Sequence, residues 1–189
     1  MVDNKTRCFG SNSQIYADYH DNEWGIPKYD DRELFELLIL EGAQAGLNWE
    51  TILKKRQGYR DAFYNFDPIK ATSMSESELE SLRDNPNIIR NKLKIYSVRK
   101  NAQVFLQIQK EFGSFSDYLW KFVNFKQIKN SWRSRSQVPI STTISEKISK
   151  DLKKRGMSFV GPTIIYAYMQ ATGLVNDHLV DCWCYTREI

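Results

Sequence analysis

Three of the five cysteines and histidines in this 189-residue chain stand close together in its last stretch, "GLVNDHLVDCWCYTREI", as His178, Cys182 and Cys184. The other two, Cys8 and His20, lie near the start, in "RCFGSNSQIYADYHDNEWG". Cys8, His20, His178 and Cys182 make a set of two thiolates and two imidazoles, which suits tetrahedral Zn²⁺ because that borderline-soft ion takes both ligand types. His178 and Cys182 are four positions apart, so one turn of helix would aim both at a common point and leave Cys184 facing elsewhere. The gap from Cys8 to His20 is no standard finger spacing. The same residues therefore also read as buried thiols with two unrelated histidines.

A second constellation joins "YADYHDNEWG" to "LEGAQAGLNW". Glu41 follows a nearly unbroken apolar run, so it belongs near the buried side of its helix, where a carboxylate is costly unless it is paired or employed. Tyr16, Tyr19, Trp24 and Trp49 stand in the same two segments. Aromatic faces around one carboxylate would hold a planar, electron-poor or cationic ring; the alternative is ordinary core.

The third is "LKKRGMSFVGPT", a basic helix ending at Gly156, a short turn to Gly161, and a new helix opening at Pro162. Such a hairpin presents free backbone N–H groups at a helix start, where an anion is favoured. A DNA phosphate would be positioned there without base contact, with Lys153, Lys154 and Arg155 alongside. An ordinary helix connection is the other reading.

The elements that must position these groups read as helices. "DDRELFELLILEGAQAG" opens on an Asp cap and stops at a glycine, and "SESELESLRD" has capping-box spacing from Ser75 to Glu78. "NKLKIYSVRKNAQVFLQIQKEFG" places Leu93, Tyr96, Val98, Ala102, Phe105 and Ile108 on or near one stripe. "STTISEKISKDLKKRG" and "PTIIYAYMQATG" complete the series, and the polar, basic "NFKQIKNSWRSRSQVPIST" is a connector. No pair of alternating strands is evident, so the expected fold class is all-α.

Hydrophobic content of 41% and charged content of 26% are globular values. The N-terminal "MVDNKTRC" offers no signal peptide and "LFELLILE" is too short to span a bilayer, so a cytoplasmic protein without membrane contact is expected. Three cysteines in a reducing compartment argue for free or metal-bound thiols rather than a disulfide framework. The net charge is +4, and the positive excess lies between residues 51 and 160. "LKKR", "IIRNKLKIYSVRK" and "SKDLKKRG" could form a field for a polyanion, or be solvated helix faces.

Taken in order and spacing, "YHDNEWG", "LEGAQAGLNW", "ILKKR", "LKKRG..FVGPT" and "GLVNDHLVDC" resemble the 3-methyladenine DNA glycosylase I family over nearly the whole chain, from Cys8 to about Tyr185. The resemblance implies a helix-hairpin-helix glycosylase fold whose structural zinc, held by Cys8, His20, His178 and Cys182, joins the terminal segments, with Cys184 a bystander. It implies one glycosylase domain of two lobes, the basic one within about 45–172 and the zinc-binding one from about 1–30 and 173–189.

By the same resemblance Glu41 is the catalytic residue and Tyr16, Tyr19, Glu41 and Trp49, with Trp24 nearby, form the base pocket. Gly46 and Leu47 probe the duplex, and the segment from Arg155 to Thr163, with Gly156 and Gly161, binds backbone phosphate. The implied activity is monofunctional excision of 3-methyladenine from alkylated double-stranded DNA, leaving an abasic site and the free base, by a monomer. A non-catalytic zinc-stabilised damage-binding module and a glycosylase of broader alkyl-purine range are the alternatives. The chain departs from the family at Phe9, where "CFGSN" lacks the tryptophan usual two residues after the cysteine. Asp177 falls near the position of the aspartate that most helix-hairpin-helix glycosylases use; it reads as that residue or as the cap of a helix carrying His178 and Cys182.

Overall fold

The computed structural model describes residues 5–186, and among them secondary structure is almost entirely helical. The chain enters through α1 (Gln14–Asn22), then α2 (Asp31–Gln44) and α3 (Trp49–Ala62). The short α4 (Pro68–Thr72) and α5 (Glu76–Ser81) lead to the long α6 (Lys92–Phe112) and to α7 (Phe115–Lys121). α8 (Thr143–Arg155) and α9 (Pro162–Ala171) form the late hairpin. A parallel pairing of β1 (Ile128–Lys129) with β2 (Val175–Asn176) ties the connector to the segment after α9. Two residues per strand are too few to show alternation in sequence.

α2 is the axis of the core. Leu34, Phe35, Leu37, Leu38, Ile39 and Leu40 are all buried, which is the pattern of a helix enclosed on every side. It packs against α3, α6, α7 and α9. Its Asp30 cap accepts from the Glu33 N–H, and the Ser75/Glu78 capping box starts α5 as its spacing predicts.

α6 departs from the expected stripe at its first residues. Leu93 is 71% exposed and the buried row runs through Ile95, Val98, Ala102, Phe105 and Ile108. Leu93 is two positions from Ile95, about 200° around the helix, and so faces solvent.

The α8–α9 hairpin is held from behind. Gly156 ends α8 with φ +108°, a left-handed value at which glycine carries no Cβ penalty. Asn101 on α6 accepts from the Ser158 N–H and donates to the Ser158 carbonyl, while the Ser149 hydroxyl donates to the Val160 carbonyl at 2.6 Å. The turn is thereby fixed relative to α6 and α8.

Candidate active site and metal centre

α1, α2, the start of α3, α9 and the segment after β2 enclose a cavity of about 340 Å³. Every residue expected in the base pocket lines it: Tyr16, Tyr19, Trp24, Glu41 and Trp49. Glu41 lies near the end of α2 and Trp49 at the start of α3, so the turn between them places the two on one wall. Phe9 completes the N-terminal wall, its ring 4.8 Å from Tyr16 and 4.9 Å edge-on to Trp24. Tyr19 and Trp49 meet at 5.4 Å.

Within this aromatic lining, Glu41 Oε2 and Trp49 Nε1 are buried and have no hydrogen-bond partner. Burial pushes the Glu41 carboxyl up to about 8 and raises both the Tyr16 and Tyr19 phenols. Each orphaned polar atom costs about 1–3 kcal/mol. An acceptor and a donor left unpaired in one cavity are complementary to a ring that carries both on its edge.

Asp177 also lines the cavity, but it caps no helix. Residues 177–179 have no regular structure and turns follow, so the expectation of a helix carrying His178 and Cys182 is wrong. The Asp177 carboxylate is buried and accepts from Asn130 (2.7 Å) and Trp132 Nε1 (2.8 Å) on one oxygen and from the Tyr166 hydroxyl (2.6 Å) and Gln170 (2.8 Å) on the other. Through Asn130 and Trp132 it anchors the connector, whose Arg135, Val138, Pro139 and Ile140 form a wall of the cavity. That wall has no signal in the sequence, where the stretch shows only polar and basic composition.

The four expected ligands do converge: the ligand atoms of Cys8, His20, His178 and Cys182 all lie within 4.8 Å of one another. Cys182 Sγ is 3.4 Å from both His20 Nε2 and His178 Nδ1, and Cys8 Sγ is 3.6 Å from His178 Nδ1. The far nitrogen of each ring is engaged, His20 Nδ1 with Asp21 at 2.8 Å and His178 Nε2 with the Trp24 carbonyl at 3.2 Å. That fixes the tautomers with the ligating lone pairs inward. Burial would raise Asp21, but the Arg7 guanidinium, the His20 ring and Trp183 hold it down to about 2. The adjacent Cys182 sulfur and burial push the Cys8 thiol well above its ordinary range, a cost that a bound dication removes. This Cys/His cluster could hold a metal.

Cys184 is not turned away as a helical spacing implies. It is buried against Cys182 and groups with His20 and Asp21, because the chain folds back in successive turns.

On the expected DNA face, Gly46 (φ +79°) and Leu47 (41% exposed) form the tip of the α2–α3 turn. Lys94 Nζ stiffens it by donating to the Ala43 and Ala45 carbonyls at 2.8 and 2.7 Å. Lys153 and Lys154 are exposed. Arg155 is not available in the same way, since it pairs with Glu111 (2.5 Å) and Asp151 (2.7 Å). Arg56 of "ILKKR" is also spent internally, bridging Glu23 and Glu36. Gly161 caps α9, and Thr163 borders the aromatic cavity.

Residues 9–185 match the family model described as methyladenine glycosylase. The chain belongs to the methyladenine glycosylase family. A protein of Escherichia coli (strain K12) named DNA-3-methyladenine glycosylase 1 is 48% identical to this family member over 180 residues, 95% of this chain and 96% of its own. The DNA-3-methyladenine glycosylase of Haemophilus influenzae (strain ATCC 51907 / DSM 11121 / KW20 / Rd) is 47% identical over 96% of this chain and 98% of its own. A solved structure of a tyrosine-to-phenylalanine variant of 3-methyladenine DNA glycosylase I in complex with 3-methyladenine superposes with a TM-score of 0.93 at 37% identity, covering 96% and 98% of the two chains. No helix among the described residues is long and apolar enough to cross a membrane.

Proposed function

We propose that this protein is a monofunctional DNA glycosylase that flips 3-methyladenine out of alkylated DNA and hydrolyses its N-glycosidic bond. The observation that carries the reading is the buried, unpartnered pair Glu41 Oε2 and Trp49 Nε1 in an aromatic cavity. A DNA-binding module without catalysis has no use for such a pair.

Methylation at N3 makes adenine in DNA formally cationic, so the glycosidic bond is already weak and the base leaves neutral. Little acid catalysis is then needed, and the enzyme's task is to extrude and hold a base whose pairing is already impaired. Tyr16, Tyr19, Trp24 and Trp49 supply ring faces, Glu41 accepts from the donor edge, and Trp49 Nε1 donates to a ring acceptor. The Glu41 carboxylate also favours the positive charge that develops toward the sugar. Water then attacks C1′. No lysine lines the cavity among the described residues, so no Schiff-base route to strand cleavage is available.

The Cys/His cluster is read as a structural zinc site. A tetrahedral zinc with bonds of about 2.3 Å to sulfur and about 2.0 Å to nitrogen sets its sulfur–nitrogen edges near 3.5 Å, against 3.4–3.6 Å in the cluster. Four protein ligands leave no position for a reactive water, so the ion would supply cohesion alone.

DNA would lie across the α8–α9 hairpin and the Gly46–Leu47 turn. Gly156 and Gly161 shape the hairpin, and Thr163, at the cavity rim, brings a bound phosphate beside the flipped base. Replacing Lys153 and Lys154 by Ala should lower the slope of log binding constant against log salt by roughly 0.9 for each phosphate no longer neutralised. Arg155→Ala should change that slope little and instead lower thermal stability, because its partners are Asp151 and Glu111; the reverse ranking would place Arg155 on the phosphate.

Chromatography of bases released from methylated duplex DNA tests the reading directly. Free 3-methyladenine with an intact but alkali-labile strand is the expected result. Release of no base sinks it, and equal release of 7-methylguanine moves the protein to a broader alkyl-purine range.

A further inference from the structure

The α2–α3 turn has a second side. Its Gln44 and Trp49 border the aromatic cavity, whereas Leu47 borders a separate open cleft of about 560 Å³. Lys55, Arg83 and Arg90 line that cleft, and no carboxylate does. Arg83 pairs with Glu80, while exposed Arg90 has no ion pair among the described residues.

The far wall of the cleft is the irregular segment 85–91, and it is built rather than loose. Gly58 on α3 lets that segment press close: a Cβ there would lie 2.3 Å from the Asn87 carbonyl oxygen and 2.6 Å from its Cβ. Lys55 Nζ donates to the Pro86 carbonyl at 2.6 Å, the Ile89 N–H donates to the Tyr59 hydroxyl, and Ile88 is buried. Arg90 is thus presented from a fixed backbone, beside an exposed leucine.

We infer that this cleft binds the phosphodiester backbone of the unmodified DNA strand, the one opposite the lesion. The inference rests on the base-excision reading, in which the lesion strand delivers its base to the cavity side of the turn. The two strands of a duplex flank the base stack on opposite sides, so with Leu47 at the stack the partner strand meets the Leu47 side. A cleft lined by three cations and no acid is complementary to that strand. Arg90 and Arg83 would then make the enzyme prefer duplex over single strands.

The test compares a duplex containing a tetrahydrofuran abasic analogue with the same oligonucleotide single-stranded, titrated against wild-type protein and the Arg90→Gln and Arg83→Gln/Arg90→Gln variants. For Arg90→Gln, duplex affinity should fall about five- to tenfold near 0.1 M salt, with the log–log salt slope reduced by about 0.9; adding Arg83→Gln, whose guanidinium is already paired with Glu80, should lower both by less. Single-strand affinity, free 3-methyladenine affinity and thermal unfolding should not move. An unchanged duplex slope, or equal losses on duplex and single strand, overturns the inference. A wild-type protein that fails to bind free 3-methyladenine sinks the base-excision reading and the strand assignment with it, whereas a base-binding protein without the duplex-selective loss sinks the strand assignment alone.

Discussion

Glu41→Gln should lose about ten- to a hundredfold in affinity for 3-methyladenine, and excision with it, while becoming more stable at neutral pH. The first effect is the loss of a charge-assisted hydrogen bond in a desolvated site, about 1.5–3 kcal/mol. The second follows from the same burial. The Glu41 carboxyl is raised to about 8 in the folded protein against an ordinary 4.5. In the unfolded chain it ionises near 4.5, while the folded protein keeps its proton. Stability from this group is therefore complete below pH 4.5 and declines as pH rises toward 8. Glutamine has no proton to lose, so the variant should gain roughly 1–3 kcal/mol at pH 7, the lower figure allowing for a buried amide left unpaired.

Base binding has the opposite slope. The donor edge of the neutral base pairs with the ionised carboxylate, so affinity should rise with pH through the Glu41 titration and be flat in Glu41→Gln. Isothermal titration with 3-methyladenine and thermal melts from pH 5 to 8.5 check both limbs. Full excision by Glu41→Gln, with collapse in a well-folded, metal-loaded Asp177→Asn protein, would move the catalytic role to Asp177.

Stripping the proposed zinc, or changing Cys182 to Ser, should lower the melting temperature by on the order of 10 °C, because the binding energy of such an ion is part of the folding energy of the segments it joins. The core around α2 does not depend on the cluster, so the protein should retain helical circular dichroism after the change. Base affinity should also fall, though less than in Glu41→Gln, since Cys8, Phe9 and Leu179 all border the cavity. Elemental analysis should find one zinc per chain. Zinc-free protein whose melting is indifferent to both chelator and added Zn²⁺ would reject the site.

The Cys/His cluster and the aromatic residues around Glu41 were legible because their chemistry is rare: two histidines, three cysteines, and one carboxylate at the end of an apolar run. The conformation around them was less so. A spacing of four suggested helix at His178–Cys182, but β2 pairing and the four donors on Asp177 set that backbone instead, and both depend on the distant connector. The connector's own place as a cavity wall is likewise a long-range fact, with Val138 and Ile140 giving no periodic signal. Arg155 shows the limit of reading charge runs. Its partner Glu111 belongs to another helix, and nothing in "LKKRG" reveals it.

The closure between Cys8 and His178, 170 residues apart, has a bearing on biosynthesis. A ribosome delivers the first half of the cavity, with Phe9, Tyr16, Glu41 and Trp49, long before Asp177 and Leu179 leave the exit tunnel. The helical core can condense early through shorter-range contacts, but the docking of the N-terminal segment must wait for the far end of the chain. During translation the nascent protein therefore exposes one open aromatic wall and the Cys8 and His20 side chains, and the base cavity is complete only after Asp177 and Leu179 have joined it.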